Sequence, residues 1–348
     1  MSTRLGFNEL ETKVLETDIC VGCGACVIAC PFEAILEYSE GRPKVIGDCK
    51  FCGICPRVCP RFMVNQPDLE RQVFGRSRTS DEPFGIYQNI FVAQSAHEVF
   101  LSYGQDGGVA STLLSSALDA GIIDGAIVSG INPTVPWLPI PTIVTTKDEL
   151  LQTAGTRYTY SPNLLALKDC MAKGLEKVAF VGTPCQILAF RRIQMVPLKK
   201  IAKIVVFTIG LFCSESFTYS GLMVEKIQNQ LKIPLADLRK MNIKGKMVLT
   251  RSDGAQVDLP LKDAKQYAEG KCSYCNDFSA ELADISLGGV GLNNSTFTVI
   301  RTDIGKKIYN RAKKNNSLNE YPVNDYTKAY NLLLRLSKLK AKKATLLP

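Results

Sequence analysis

Eight of the chain's 13 cysteines fall within its first 60 residues, in two runs of identical spacing. The runs are Cys20-x2-Cys23-x2-Cys26-x3-Cys30-Pro31 and Cys49-x2-Cys52-x2-Cys55-x3-Cys59-Pro60, an internal repeat of about 29 residues. This is the spacing that binds two [4Fe-4S] cubes. Three thiolates on one tight loop hold three irons of a cube, and the small residues Gly22, Gly24, Ala25 and Gly53 let the backbone wrap it closely. The fourth cysteine opens a helix leading away, so it reaches the other cube, and the following proline fixes that turn. One cluster is therefore assigned to Cys20, Cys23, Cys26 and Cys59, and the other to Cys49, Cys52, Cys55 and Cys30. Zinc takes four ligands per ion and gives no reason for the spacing to recur.

The single histidine, His97, removes most Ser-His-Asp, His-zinc and haem chemistry and reads as structural. No N-terminal run has the layout of a signal peptide, so a reducing cytosol is expected, where clustered cysteines mean metal or redox chemistry. The longest apolar stretch, Ile201 to Cys213, is interrupted by Lys203 and too short to span a bilayer. At 46% hydrophobic and 22% charged residues over 348 positions, the chain is globular and long enough for two or three domains.

The expected class is α+β: a bacterial-type two-cluster ferredoxin domain over residues 1–75, a linker over 76–85, and an α/β domain over 86–300. Residues 301–348 form a basic helical tail. The linker reading rests on Arg76-Ser77-Arg78-Thr79-Ser80-Asp81-Glu82-Pro83. In the α/β domain, apolar runs such as Ile90–Ala93, Gly125–Val128, Lys177–Val181 and Ile204–Phe207 alternate with helix-length segments at Gly108–Ala120, Asn163–Lys173 and Ser216–Leu231. No GxGxxG follows a first strand, so a nicotinamide-type dinucleotide fold is unsupported. The lysine-rich stretch Tyr326–Leu347 carries leucines at helical spacing. It would dock on a partner subunit or an anionic membrane face, or pack on its own domain.

Several loops recur in a telling order: Gly104-Gln105-Asp106-Gly107-Gly108-Val109-Ala110-Ser111, Ala154–Tyr158, Val181–Gln186, Gly210–Glu215, Cys272–Ser279 and Ala283–Gly288. As a set, over roughly residues 85 to 295, they resemble the family of β subunits of coenzyme F420-reducing hydrogenases and F420-dependent dehydrogenases. With a two-cluster ferredoxin module in front, the arrangement is most similar to electron-input subunits that oxidise reduced F420. The resemblance implies bound FAD, coenzyme F420 as substrate and one further [4Fe-4S] cluster. Cys185, Cys213, Cys272 and Cys275 supply the four thiolates a third cube needs. Cys170 has no cysteine partner in sequence and is expected to be packing.

A pyrophosphate-bearing cofactor calls for helix N-termini, glycine amides and basic side chains. Gly107, Gly108, Ser111 and Thr112 fit the first role, and Thr156, Arg157, Gly182, Thr183 and Pro184 fit loops lining a flavin. Asn242, Lys244 and Lys271 are candidates for phosphate or F420 contacts. No catalytic side chain is expected, because the cofactors carry the chemistry: hydride passes from F420 to FAD, and single electrons leave through the clusters. The expected partners are other subunits of a membrane-bound respiratory dehydrogenase, or free ferredoxin, with the chain cytoplasmic and peripheral on the membrane. A soluble ferredoxin:F420 oxidoreductase and a hydrogenase-associated F420-reducing subunit are the alternatives, and a passive electron carrier is a third. The formal charge of +9 counts every cysteine as neutral. Each cube with four thiolates carries about −2, so three remove roughly six charges. The basic excess then balances clusters and anionic cofactors and is not a nucleic-acid footprint.

Overall fold

The structure, a computed structural model, describes residues 5–32, 34–197 and 199–347. The cysteine repeat forms a small unit with one hairpin, β1 (Leu36–Ser39) and β2 (Arg42–Val45), over a core of Phe7, Leu10, Val14, Ile19, Val27 and Phe62. Each three-cysteine loop turns into a short helix, Ala25–Ile28 or Ile54–Val58, through a left-handed glycine, Gly24 or Gly53. At Gly24 (φ 76°) the requirement is also steric, since a Cβ there would stand 2.4 Å from the Leu165 side chain. That contact crosses from the cysteine repeat to the second unit.

The remainder is built on an eight-stranded mixed sheet. Its strands are β3 (Asn89–Ser95), β4 (Gly125–Ile131), β5 (Pro139–Val144), β6 (Val178–Gly182), β7 (Val205–Leu211), β11 (Ile285–Gly288), β12 (Thr296–Ile300) and β13 (Leu318–Pro322). The order is β13-β3-β12-β11-β7-β6-β4-β5. The inner four, β11, β7, β6 and β4, run parallel. Such strands are covered on both faces, so β6 reads as an unbroken buried run, Val-Ala-Phe-Val-Gly. Pairing turns antiparallel toward both edges. The edge strand β5 carries Pro139 and Pro141, which an inner strand would not tolerate. Between β7 and β11 the chain leaves the sheet to build a second, three-stranded antiparallel one: β8 (Leu238–Ile243), β9 (Lys246–Arg251) and β10 (Gln256–Pro260). With the helix Tyr219–Gln230 it encloses a separate core around Phe217, Met223, Ile227, Met247 and Leu249.

The expected α+β class and the ferredoxin-then-α/β order describe this architecture, but two boundaries differ. Residues 76–85 are a clasp. The Arg78 guanidinium pairs with Glu70 at the end of the cysteine-repeat unit and with Glu281 of the second unit, 2.5 Å away. Residues 301–348 are likewise no separate tail, because β13 pairs with β3 and completes the sheet. The following helix, Thr327–Lys343, buries Ala329 and Leu333 against Val92, Phe278 and Phe297. Most of its apolar face is taken up by its own domain, and the face left open is mainly basic, with Leu339 exposed beside it.

The two units share a continuous core. Val21, Ala25, Ile28, Val58 and Leu69 of the first pack with Leu164, Leu167, Ile187 and Phe190 of the second. Arg192, 8% exposed, reaches across and donates to the carbonyls of Arg57 (2.6 Å), Cys59 and Phe62 (2.6 Å). Arg61 reaches the opposite way, to the carbonyls of Tyr274 (2.7 Å) and Lys271 (3.0 Å). Guanidinium forks suit such multiple acceptance better than an ammonium does.

Candidate functional site

Cys30, Cys49, Cys52 and Cys55 line one small pocket, walled by Phe7, Phe32, Ile35 and Leu36. The set therefore crosses between the two runs. Cys59 lies with the other run: Cys23, Cys59 and Cys20 each act electrostatically on Cys26 more strongly than Cys55 does. Cys213 likewise feels Cys272, Cys185 and Cys275, cysteines that stand far apart in sequence. The fold positions them by specific bonds. Cys213 follows β7 with its N–H on the Phe278 carbonyl (2.8 Å), and Cys185 sits in the first turn of the helix Pro184–Met195 at the end of β6. The Asp284 carboxylate pins β11 to its neighbour by accepting the Thr208 N–H and hydroxyl, both at 2.8 Å, with Arg191 at 3.0 Å.

The chemistry of these donor sets fits iron–sulfur cubes. Burial pushes the thiol of Cys55 up to about 12 and those of Cys59 and Cys275 to about 11, and neighbouring cysteines add to the rise at Cys55. Packing so many thiols together out of water is unfavourable unless a bound cation stabilises the thiolates. Among the described residues no three His, Cys, Asp or Glu side chains converge on a single-ion site. Amide donors also meet the sulfurs, Gly22 N–H on Cys20 and Ser216 N–H on Cys272, each at 3.4 Å.

Cys170 is fully buried in the helix Ala166–Ala172, among Leu167, Ile187 and Phe190, and burial pushes its thiol up to about 12. Cys170→Ala is expected to leave the iron content unchanged at a stability cost of about 1 kcal/mol; iron analysis beside the unaltered protein checks it. His97 is exposed, next to the helix Glu98–Tyr103 and edge-on to Phe100.

A second locus forms where the 104–108 loop, the 153–158 loop and β8 meet. Lys244 Nζ lies 3.8 Å from Asp106 Oδ1, Asn242 faces the same carboxylate, and Lys240 Nζ donates to the Gly104 carbonyl (2.8 Å). Burial holds Asp106 above the usual carboxylate range and Lys240 below its own ordinary value. Both side-chain polar atoms of Gln105, Asp106 Oδ1 and Arg157 Nε are buried without a hydrogen-bond partner. Orphaned groups at one locus are what a removed polar ligand leaves behind, so these residues fit a flavin or another phosphate-bearing cofactor.

Residues 90–168 match the N-terminal region and residues 175–326 the C-terminal region of the coenzyme F420 hydrogenase/dehydrogenase β subunit, and residues 13–36 match a 4Fe-4S binding domain. The coenzyme F420 hydrogenase subunit beta of Methanosarcina barkeri is 37% identical over 271 residues, 76% of this chain and 92% of the relative. The chain belongs to the family of coenzyme F420 hydrogenase/dehydrogenase β subunits. Another relative, a subunit of the F(420)H(2) dehydrogenase of Methanosarcina mazei, is 31% identical over 329 residues, 89% of this chain and 87% of its own length. The solved F420-reducing [NiFe] hydrogenase complex from Methanosarcina barkeri contains a chain that superposes with a TM-score of 0.73 at 34% identity, over 77% of this chain and 93% of that one.

Within this fold, several expected binding residues are committed internally. The Gly107 amide donates to Thr296 Oγ1 (3.1 Å) and the Gly108 amide to the Gln105 carbonyl (3.2 Å). A Cβ at Gly108 (φ 65°) would stand 2.4 Å from the Phe100 carbonyl, so glycine there serves packing. The Thr112 hydroxyl is bonded to Ser95 Oγ (2.7 Å). What the loop offers a ligand is Gln105, Asp106 and the first-turn amides of the helix Val109–Asp119, where Ser111 lies. Arg157 Nη1 caps the carbonyls of Thr153 (2.5 Å), Ala154 (3.0 Å) and Gly155 (2.8 Å), which makes it a holder of its own loop, beside Thr156.

Gly182, Thr183 and Pro184 lie on the cysteine side, with Thr183 Oγ1 3.3 Å from Cys185 Sγ. Lys271 lies there too, paired with Glu269 (3.3 Å) and close enough to act on Cys20. It stands there because the 270–274 turn carries Cys272. Gln105, Asp106 and Lys240 were not among the expected ligands. Gln105 and Asp106 stand in a recognised loop, whereas Lys240 gave no sequence signal, since only the β8–β10 sheet brings it there.

Proposed function

We propose that this chain is an electron-input subunit that oxidises reduced coenzyme F420 on bound FAD and passes electrons through three [4Fe-4S] clusters to other subunits of a membrane-bound respiratory dehydrogenase. The observation that carries this reading is the reach of the likeness to the F(420)H(2) dehydrogenase relative, over 89% of this chain against 76% for the hydrogenase β subunit. The higher identity to the hydrogenase relative supports a second reading, a hydrogenase-associated F420-reducing subunit using the same sites in the opposite direction. Among the described residues no helix is long and apolar enough to cross a membrane. In the first reading, contact with the membrane complex runs through partner subunits.

FAD, when bound, supplies the exchange between two-electron transfer with F420 and one-electron transfer with cubes. Lys240, Lys244 and the first-turn amides of Val109–Asp119 provide a positive field for phosphate-bearing groups. The Gln105 amide offers an NH2 donor group and an acceptor oxygen, Asp106 orients Lys244, and the Gly104 carbonyl holds Lys240. Arg157 holds the 153–158 loop against this wall. On the cysteine side, Thr183, Gly22 and Ser216 direct hydrogen-bond donors at the sulfurs.

Anaerobic protein counted for iron, sulfide and flavin, and assayed with reduced F420, tests the whole reading. About twelve irons and one FAD per chain are expected. Flavin-free protein without F420 oxidation would overturn it in favour of a passive carrier. Lys244→Ala removes a charge-assisted contact and is expected to weaken flavin or F420 binding by about 10- to 100-fold, read by flavin retention and by KM for F420.

A further inference from the structure

One aromatic side chain stands between two of the cysteine sets. The Tyr160 hydroxyl lies 3.7 Å from Cys185 Sγ, and the same side chain is within electrostatic reach of Cys23 in the cysteine repeat. Among the described residues Cys185 is the only hydrogen-bond partner of that hydroxyl. The backbones carrying the two residues are stapled together. The Gln186 side-chain amide donates to the Ser161 carbonyl (2.9 Å) and accepts from the Asn163 N–H (3.1 Å). Gln186 follows Cys185 and Ser161 follows Tyr160, so the hydroxyl–sulfur geometry is held by buried, hydrogen-bonded neighbours.

A thiolate cannot donate, so with iron bound the Tyr160 O–H is the donor. A donor on a cluster sulfur stabilises the reduced, more negative state and raises the reduction potential. We propose that Tyr160 is a positioning residue between the third cluster and the Cys20/Cys23/Cys26/Cys59 cluster, setting the potential of the third through Cys185. In the transfer it supports, one electron leaves the Cys185/Cys213/Cys272/Cys275 cluster and one arrives at the other. Tyr160 itself is neither oxidised nor deprotonated. The inference rests on the three-cluster reading above.

The test is an anaerobic redox titration of the full chain, followed by electron paramagnetic resonance, with Tyr160→Phe beside the unaltered protein. Tyr160→Phe is expected to keep the iron and flavin content and to shift the third cluster to a more negative potential. The shift corresponds to up to tenfold in its electron-sharing equilibrium, about 59 mV for one electron. Tyr38→Phe is the control, since the Tyr38 hydroxyl donates to the Gly22 carbonyl (2.7 Å) and to no sulfur. It should leave the third cluster where it was. An unmoved third-cluster potential in iron-replete Tyr160→Phe overturns the proposal. A fall to about eight irons in that variant alone also overturns it, by making Tyr160 a structural support. About eight irons in the unaltered protein would instead remove the third cluster and the inference with it.

Discussion

Cys213→Ala is expected to lower the iron content from about twelve to about eight per chain while flavin stays bound. Cys213 is delivered to its set by the end of β7 and a backbone bond to Phe278, neither of which needs its sulfur. The fold around it therefore survives the substitution. The Gln105–Asp106 locus belongs to other loops, so reduced F420 should still reduce the flavin in a single turnover. Steady-state transfer to a one-electron acceptor should fall by more than the about 10- to 100-fold that loss of an outer-shell partner costs at a metal centre. Full iron content in this variant would show that Cys213 is no ligand.

Arg78→Ala is expected to loosen the cysteine repeat from the rest of the chain. Arg78 is the shared cation of Glu70, whose side chain is 2% exposed, and Glu281, at 9%. Burial and the nearby Asp277 hold Glu281 up at about 7 even against the pull of Arg78. Removing the guanidinium leaves Glu70 without its cation and Glu281 with only the field of Arg301, a loss of about 3–5 kcal/mol. Because Arg78 is 28% exposed, the lower end is expected, with water entering part of the gap. The check is the denaturant midpoint for loss of cluster absorbance under anaerobic conditions. Adding Glu281→Gln to Arg78→Ala should recover part of the loss, since one orphaned charge is then gone. A midpoint unchanged in the single variant would show the clasp to be idle.

How far the sequence reveals this molecule depends on how locally each feature is encoded. The cysteine repeat is written within 12-residue stretches, so its spacing is legible locally, although each short helix, Ala25–Ile28 or Ile54–Val58, precedes the fourth cysteine where the spacing predicts a helix opening at it. The runs at Ile90, Gly125, Lys177 and Ile204 coincide with β3, β4, β6 and β7 because inner strands must be apolar on both faces. The edges give no such signal. β13 reads Leu-Asn-Glu-Tyr-Pro, so its stretch passed for part of a tail. The β8–β10 sheet is antiparallel and apolar on one face only, and no alternation of strand and helix announces it. That sheet carries Lys240 and Asn242 to Asp106, so half of the cofactor locus depends on pairing over long sequence distances. The same holds for Arg192, Arg61 and Arg78, whose partners lie far away or in another unit. As isolated arginines they look like surface charge.

The end of the long C-terminal helix returns to the cysteines. Lys340 Nζ donates to the carbonyl of Ser214, beside Cys213, and the Thr345 N–H donates to that of Ser273 (2.9 Å), beside Cys272. Ribosomal synthesis runs from the N-terminus, and domains form in that order. The eight cysteines of the repeat are therefore made before the second half of the chain emerges. The ground around Cys213 and Cys272 is closed only once residue 345 has been added. Synthesis thus completes the surroundings of Cys213 and Cys272 last, with a segment made after every cysteine of the chain.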